Sequence, residues 1–484
     1  MDTFFRIVYK DVVMKKVTND ILIFRKNQIA KIIYIVILIL FTMVAFLLDD
    51  NDCKIALQIM YILSLMCPFL FLDNANKNKL NLIYVFYFLL FFFGGSTIIL
   101  DLVDFCDMSD LDFFYNGKVS SYTTNRTIFN YILTNYAIII GYLLHNRVHH
   151  NCMPHDANAK ISNFIIYIIF LIGFIAQLYS SYLQFSFLSA FSYHESFISG
   201  VSVPIYIRVF SQFPLFACIY KLMQGRKRWF FPLVFYCGLV MLTGQRGPAL
   251  LILIVVFYLC YRKGIVKTNV LKIFVGGFLL LLISIIASNL RNGKSSFTDE
   301  DSLLQFIWGQ GGSITVLQIA IQNEDKLDYN FKDLFGNVYS AYRFLPLTDV
   351  RPSSDKLTSV GKQYKVWSKY ISYETNPNMY YAGMGLGGNY IAQMFCVGKE
   401  FAVIISGILI GLILTLIDNR LSCYKNPYRL FFIFSFLRIF LYAPRDNFFS
   451  FLTFMTEDVL ALLIIYFIVT ISKWSYGNKK CLHS

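Results

Sequence analysis

EFAVIISGILIGLILTLID, residues 400 to 418, decides the fold. Nothing charged lies between Glu400 and Asp418. As a helix the run is long enough to cross most of the hydrocarbon of a bilayer. Similar runs fall near residues 31 to 48, 55 to 72, 81 to 101, 128 to 145, 161 to 179, 203 to 222, 230 to 244, 248 to 261, 271 to 289, 428 to 444 and 456 to 473. With the first, they predict an all-α polytopic integral membrane protein of about twelve transmembrane helices, both ends inside. The pair around 230 to 261 is short and reads equally as two tilted helices or a partly re-entrant hairpin, which leaves eleven or thirteen crossings open.

Composition agrees. Hydrophobic residues make up 57% and charged residues only 15%, too apolar a balance for a soluble domain. The net charge of +14 does not indicate nucleic acid, because Lys and Arg fall in short clusters between apolar runs and not on one basic module. The first thirty residues carry charges throughout, and no small-residue cleavage site follows the first apolar run, so the first helix is expected to be retained. Most of the ten cysteines lie inside apolar runs, where a thiol behaves as a small hydrophobe. Cys53 and Cys106 both fall in loops assigned outside, but spacing alone cannot show that they meet.

Orientation follows from the flanking charges. Lys221, Arg226, Lys227 and Arg228 share one short loop, and Arg262, Lys263, Lys267 and Lys272 the next, which places both inside. The segment from Asp101 to Asp112 is acidic and is placed outside. The resulting layout is a cytoplasmic segment 1–30, helices one to nine over 31–289, a large outer (periplasmic) loop 290–399, helices ten to twelve over 400–473, and a cytoplasmic tail 474–484.

Residues 291 to 388 hold no apolar span, and a loop of that length is usually functional. Its acidic and basic residues balance, and it is rich in aromatics, among them Trp308, Tyr342, Phe344, Trp367, Tyr380 and Tyr381. Rings pack on apolar sugar faces, so this composition suits a sugar; an interfacial lid at headgroup level fits it equally.

Four arginines stand where a membrane protein places few. Arg208 and Arg438 lie within apolar runs, and Arg246 and Arg445 at outward turns. An arginine in the apolar region costs roughly 2.5 to 3.5 kcal/mol on insertion scales, so such residues usually face a polar path. Arg438 and Arg445 are two turns apart on one helix face and could address one ligand. Guanidinium suits bidentate contact with phosphate oxygens, which points to an anionic, phosphorylated substrate. The other reading is that they pair with Asp446, Glu457 or Asp458, or snorkel to headgroups.

The run Met241-Leu-Thr-Gly-Gln-Arg-Gly-Pro248 presents Arg246 on a tight turn. Gly383-Met-Gly385-Leu-Gly387-Gly388 opens an apolar segment whose backbone amides could cradle an anion. It matches GxGxxG, but without a βαβ unit it is not a dinucleotide site. Gly293-Lys294-Ser295 lacks the first glycine of a P-loop. His149, His150, Cys152 and His155 fit no closed zinc spacing, and the pairs Asp110/Asp112 and Asp299/Asp301 are of a kind common in polar loops. No metal or other cofactor is expected. Candidate bases near the arginines are His194 and Glu195, ahead of Arg208, and Asp349, between Arg343 and Arg351.

The Gly244-Gln-Arg-Gly-Pro248 turn, the long outer loop, the Gly383 to Gly388 run and Phe395-Cys-Val-Gly398 together resemble the O-antigen repeat-unit polymerases of the Wzy family. Where many members carry a glutamate after the glycines, this chain has Gln393, so no catalytic acid is placed there. The resemblance implies a GT-C-like glycosyltransferase of the bacterial inner membrane. It would move a growing glycan from undecaprenyl pyrophosphate to the non-reducing end of a new lipid-linked repeat unit, alongside membrane lipid, a Wzz-type chain-length regulator and a Wzx-type flippase, with no nucleic acid. Arg208, Arg246, Arg343, Arg351, Arg438, Arg445, Gly385 and Gly387 would then bind the pyrophosphate-linked substrate. An O-antigen ligase, a metal-dependent transferase and, from another class, a lipid-oligosaccharide flippase remain alternatives; a flippase is disfavoured because the two halves show no repeat.

Overall fold

A computed structural model describes residues 29–48, 50–72, 80–110, 117–145, 161–190, 203–243, 246–266, 302–338, 359–382, 385–421 and 423–481. Among them the regular structure is helical, apart from one isolated bridge between Asp110 and Lys118. Seven helices are long and apolar enough to cross a membrane. The protein is a multi-pass membrane protein. The ninth apolar run, 271 to 289, lies outside the described residues.

The first five helices are α1 (Ile29–Phe46), α2 (Asp50–Phe71), α3 (Leu82–Leu102), α4 (Ser121–His145) and α5 (Asn163–Ala190). Asn81 starts α3 by accepting a hydrogen bond from the Ile83 amide at 2.9 Å. Midway, Phe91–Gly95 widens into a π turn. Any side chain at Gly94 or Gly95 would strike the hydroxyl of Tyr131 or Tyr61, at 1.9 and 1.6 Å from an added Cβ. The run expected over 203 to 222 breaks at Ser211 and Gln212 into α6 (Ile205–Phe210) and α7 (Phe213–Met223), with Pro214 in the first turn of α7, where proline is tolerated. α8 (Phe230–Leu242) and α9 (Arg246–Arg262) form the short pair.

The long loop is not structureless. It holds α10 (Ser302–Gly311), α11 (Ser313–Gln322), α12 (Trp367–Thr375) and α13 (Pro377–Tyr381). Nor does it stand apart from the long helices. The Gln322 carboxamide oxygen accepts from Thr123 at the start of α4, whereas Ser313 shares Asn389 with Tyr131, eight residues further along. Hence α11 runs down the outer part of α4 and reaches about 12 Å below its first turn.

The last three helices are α14 (Tyr390–Leu421), α15 (Pro427–Phe440) and α16 (Ser450–Cys481). α14 is two helices meeting at Gly398 and Lys399, both non-helical, with Lys399 at φ 52°. Asn389 meets Tyr131 and Phe395 meets Arg126, so the first part climbs against α4. Beyond the reversal, Glu400 meets Arg126, Gly407 meets Ala137, and Gly411 meets Ile138, so the second part descends parallel to α4. An added Cβ at Gly411 would lie 2.1 Å from the Ile138 carbonyl oxygen, and one at Gly141 2.1 Å from that of Ile408. Gly407 and Gly411 form a GxxxG pair whose missing side chains let the two backbones touch.

Candidate functional site

Besides the packing of α11 on α4, the loop segments meet the helical bundle at the turn between α15 and α16. Gly388 fits there only because it has no side chain: an added Cβ would lie 2.8 Å from the Cα of Asp446. Ser372 of α12 accepts from the Leu386 amide at 3.0 Å, and Asn389 donates to the Tyr131 hydroxyl and the Ser313 carbonyl. Gln393 joins the loop to the turn, donating to Tyr329 at 2.7 Å and accepting from the Phe448 amide at 2.8 Å. Buried and doubly bonded, Gln393 is a structural amide.

Arg445 projects into this junction. It donates to the Gln310 side chain, and its guanidinium carbon sits 5.5 Å from the centre of the Phe93 ring, on the π turn of α3. Among the described residues it meets no carboxylate. Arg445, Asp446, Lys369 and Gln310 all keep part of their surface accessible while ringed by protein, as in a crevice. Burial raises the Asp446 carboxyl to about 6, against the lowering pull of the Asn447 amide, the Ser450 hydroxyl and Lys369. Burial lowers the Lys369 ammonium to about 8, with Asp446 holding it up. At neutral pH the crevice therefore carries two cations and one carboxylate, a net positive charge.

The four arginines divide. Arg438 binds both carboxylate oxygens of Asp458 at 2.8 Å and also reaches Gln212. Arg208 pairs with Glu457 at 2.8 Å. The ion-pair reading thus holds for these two, and Arg438 and Arg445 do not stand on one helix face, because α15 ends at Phe440 and Arg445 lies in a 3-10 segment. Arg246 opens α9, and its side chain lies outside the described residues. Its neighbour Gly247 abuts the Tyr442 hydroxyl, 2.9 Å from an added Cβ, so the Arg246 turn lies beside the turn carrying Arg445.

Other expected site residues are not brought together. His194, Glu195, Arg343, Asp349 and Arg351 lie outside the described residues, as do the His149 to His155 group, Asp112 and Asp299 to Asp301. Gly385 and Gly387 are exposed, and the amides that an anion would need at the start of α14 are bonded to the Asn389 side chain. Trp367 and Tyr380 are buried, Trp367 against Tyr329 at 4.9 Å, so they build the loop's own core; Trp308 is exposed. Tyr342 and Phe344 are not among the described residues. Cys53 and Cys106 are not joined by a disulfide.

Two features carry no signal in the sequence. One is the Arg126 cluster, in which Arg126 meets Glu400 at 2.7 Å and Glu324 at 3.0 Å while Lys399 meets Glu324 at 2.8 Å. The other is the pairing of Lys369 with Asp446, residues far apart in the chain.

A family model for the O-antigen polysaccharide polymerase Wzy matches residues 29–475. The chain belongs to the Wzy family. Among curated proteins and solved structures, none matches it. Membership makes this multi-pass protein a glycosyltransferase-type polymerase of lipopolysaccharide biosynthesis. In a Wzy polymerase the substrate is a lipid-linked oligosaccharide.

Proposed function

We propose that the protein extends O-antigen on the periplasmic face of the inner membrane, transferring the growing glycan from undecaprenyl pyrophosphate to the non-reducing end of a lipid-linked repeat unit. Arg445, with Arg246 on the neighbouring turn, binds the donor pyrophosphate and stabilises the charge that develops on it as the glycosyl bond breaks. The observation that carries this is the neutral company of Arg445: Arg208 and Arg438 are already matched by carboxylates, whereas Arg445 faces an amide and a ring. Pyrophosphate is a good leaving group, so positioning and charge stabilisation are the main demands on the protein.

Helix direction supports the placement of the crevice. α4 and the descending part of α14 run parallel, so the chain between them must cross the membrane an odd number of times. α5 and the α6–α7 pair cross twice, and α8 with α9 adds an even number whether spanning or re-entrant. That parity supports reading the apolar run 271 to 289 as a further crossing and residues 290–399 as lying opposite the basic loops. A Wzz-type regulator and a Wzx-type flippase are the partners of this scheme.

Two measurements test it. A cysteine at position 360 should be labelled by an impermeant reagent without opening the inner membrane. A strain lacking the protein should accumulate single lipid-linked repeats. Long uncapped lipid-linked chains would instead indicate a ligase, and repeats confined to the cytoplasmic leaflet a flippase.

A further inference from the structure

The candidate bases expected from the sequence lie outside the described residues, yet the crevice supplies one of its own. Asp446 follows Arg445 directly, its backbone is fixed against Gly388, and one carboxylate oxygen is occupied by the Asn447 amide at 2.8 Å. Next to it, Asn447 is 4% exposed, and its Oδ1 finds no hydrogen-bond partner among the described residues. That oxygen is enclosed against Gly388, so Asn447 holds the turn in place. Asp446 keeps part of its surface accessible, next to Arg445 in the chain.

We infer that Asp446 is the base that takes the proton from the acceptor sugar's attacking hydroxyl. The inference rests on the polymerase reading. As the hydroxyl oxygen bonds to the anomeric carbon of the donor, the bond from that carbon to the pyrophosphate oxygen breaks and its electron pair leaves with the pyrophosphate. The hydroxyl proton passes to Asp446, which then returns it to water. Arg445 lies one residue from Asp446, so the leaving group and the attacking group are served from one turn.

The charged groups around Asp446 are few. Lys369 faces it from α12, and Arg445 shares its turn; Ser450 at the start of α16 contributes a hydroxyl, and Gly388, Asn389 and Gln393 on the α14 side carry no charge. A carboxyl raised to about 6 is a stronger base than an exposed one and remains mostly ionised at neutral pH. Lys369 is a positioning residue whose cation keeps that pKa from rising further.

The test uses purified full-length protein with lipid-linked repeat units. Wild-type turnover should fall as pH drops through about 6, because the base must be ionised. Asp446→Asn should lose about a hundredfold or more in turnover while still binding the repeat unit, which shows that it is folded. Asp446→Glu should recover part of the rate, and Lys369→Met should move the acid limb to higher pH. Asp446→Asn turning over within a few-fold of wild type while Arg445→Ala is inactive would overturn the base and leave the polymerase reading standing. Wild-type protein that makes no polymer would overturn both.

Discussion

One guanidinium nitrogen of Arg438 lies 2.8 Å from both carboxylate oxygens of Asp458, and Asp458 is 1% exposed. Such a pair is dangerous to break from one side. Arg438→Ala leaves an uncompensated buried charge and should destabilise the protein by about 3–5 kcal/mol. Its level in the membrane should fall accordingly, and Arg438→Ala with Asp458→Ala together should restore much of it. Arg208, 45% exposed where it meets Glu457, should tolerate alanine with a change of at most about 1 kcal/mol. Thermal unfolding of the detergent-solubilised variants measures both.

Arg445 should behave in the opposite way. Arg445→Ala should keep its membrane level and lose about a hundredfold in polymer formation, since a charge-stabilising group contributes roughly 2.7 to 4 kcal/mol. Arg445→Lys should recover little, because a point charge does not replace the planar fork that meets two phosphate oxygens. Full-length polymer from Arg445→Ala would remove the pyrophosphate role.

Gly411→Val places a side chain against the Ile138 carbonyl. Overpacking typically costs 1–3 kcal/mol, and a backbone obstacle puts this site at the upper end. Reduced Tm with little folded protein is expected, whereas at Gly238, where an added Cβ meets nothing within 4 Å, alanine should be silent.

Lys399 stands at φ 52°, ψ −147°, a conformation that costs a side-chain-bearing residue about 1–3 kcal/mol. Its ion pair with Glu324 is half exposed and returns at most about 1 kcal/mol. Strain is the larger effect, so Lys399→Gly should leave Tm unchanged or raise it. A fall of several degrees would show that the pair dominates.

Polymer formation should persist in excess chelator, because Arg445 and Lys369 supply positive charge that metal-dependent transferases obtain from an ion. Asp110→Ala and Asp299→Ala should be nearly silent. Loss of polymer with chelator and its return with magnesium or manganese would favour the metal-dependent mechanism.

The sequence made the helical, membrane-spanning class legible because long uncharged runs have few alternatives in a bilayer. It also marked Arg445 and the ion-pair acids Glu457 and Asp458 as residues to watch. It could not sort the arginines, since Asp458 lies a helix away from Arg438 and only packing joins them. Lys369 and Asp446 were invisible as a pair for the same reason. The glycines before α14 suggested free amides by their position at a helix start, whereas the amides of Ile391 and Ala392 are bonded to the Asn389 side chain. The reversal at Lys399 was hidden because hydropathy runs on through it without reporting direction.

The glycine-lined contact between α4 and α14 also sets a timetable. α4 is the least apolar of the seven long helices, and most of it is buried, including Asn125, Asn130 and Asn135. Its partner follows about 245 residues later in the chain. At a synthesis rate of about 5–20 residues per second, α4 waits roughly 12–50 s for α14 to be made. Throughout that interval Ala137, Ile138 and Gly141 lack the partner they finally touch, although Asn135 can already donate to Ser64 of α2, a helix made earlier.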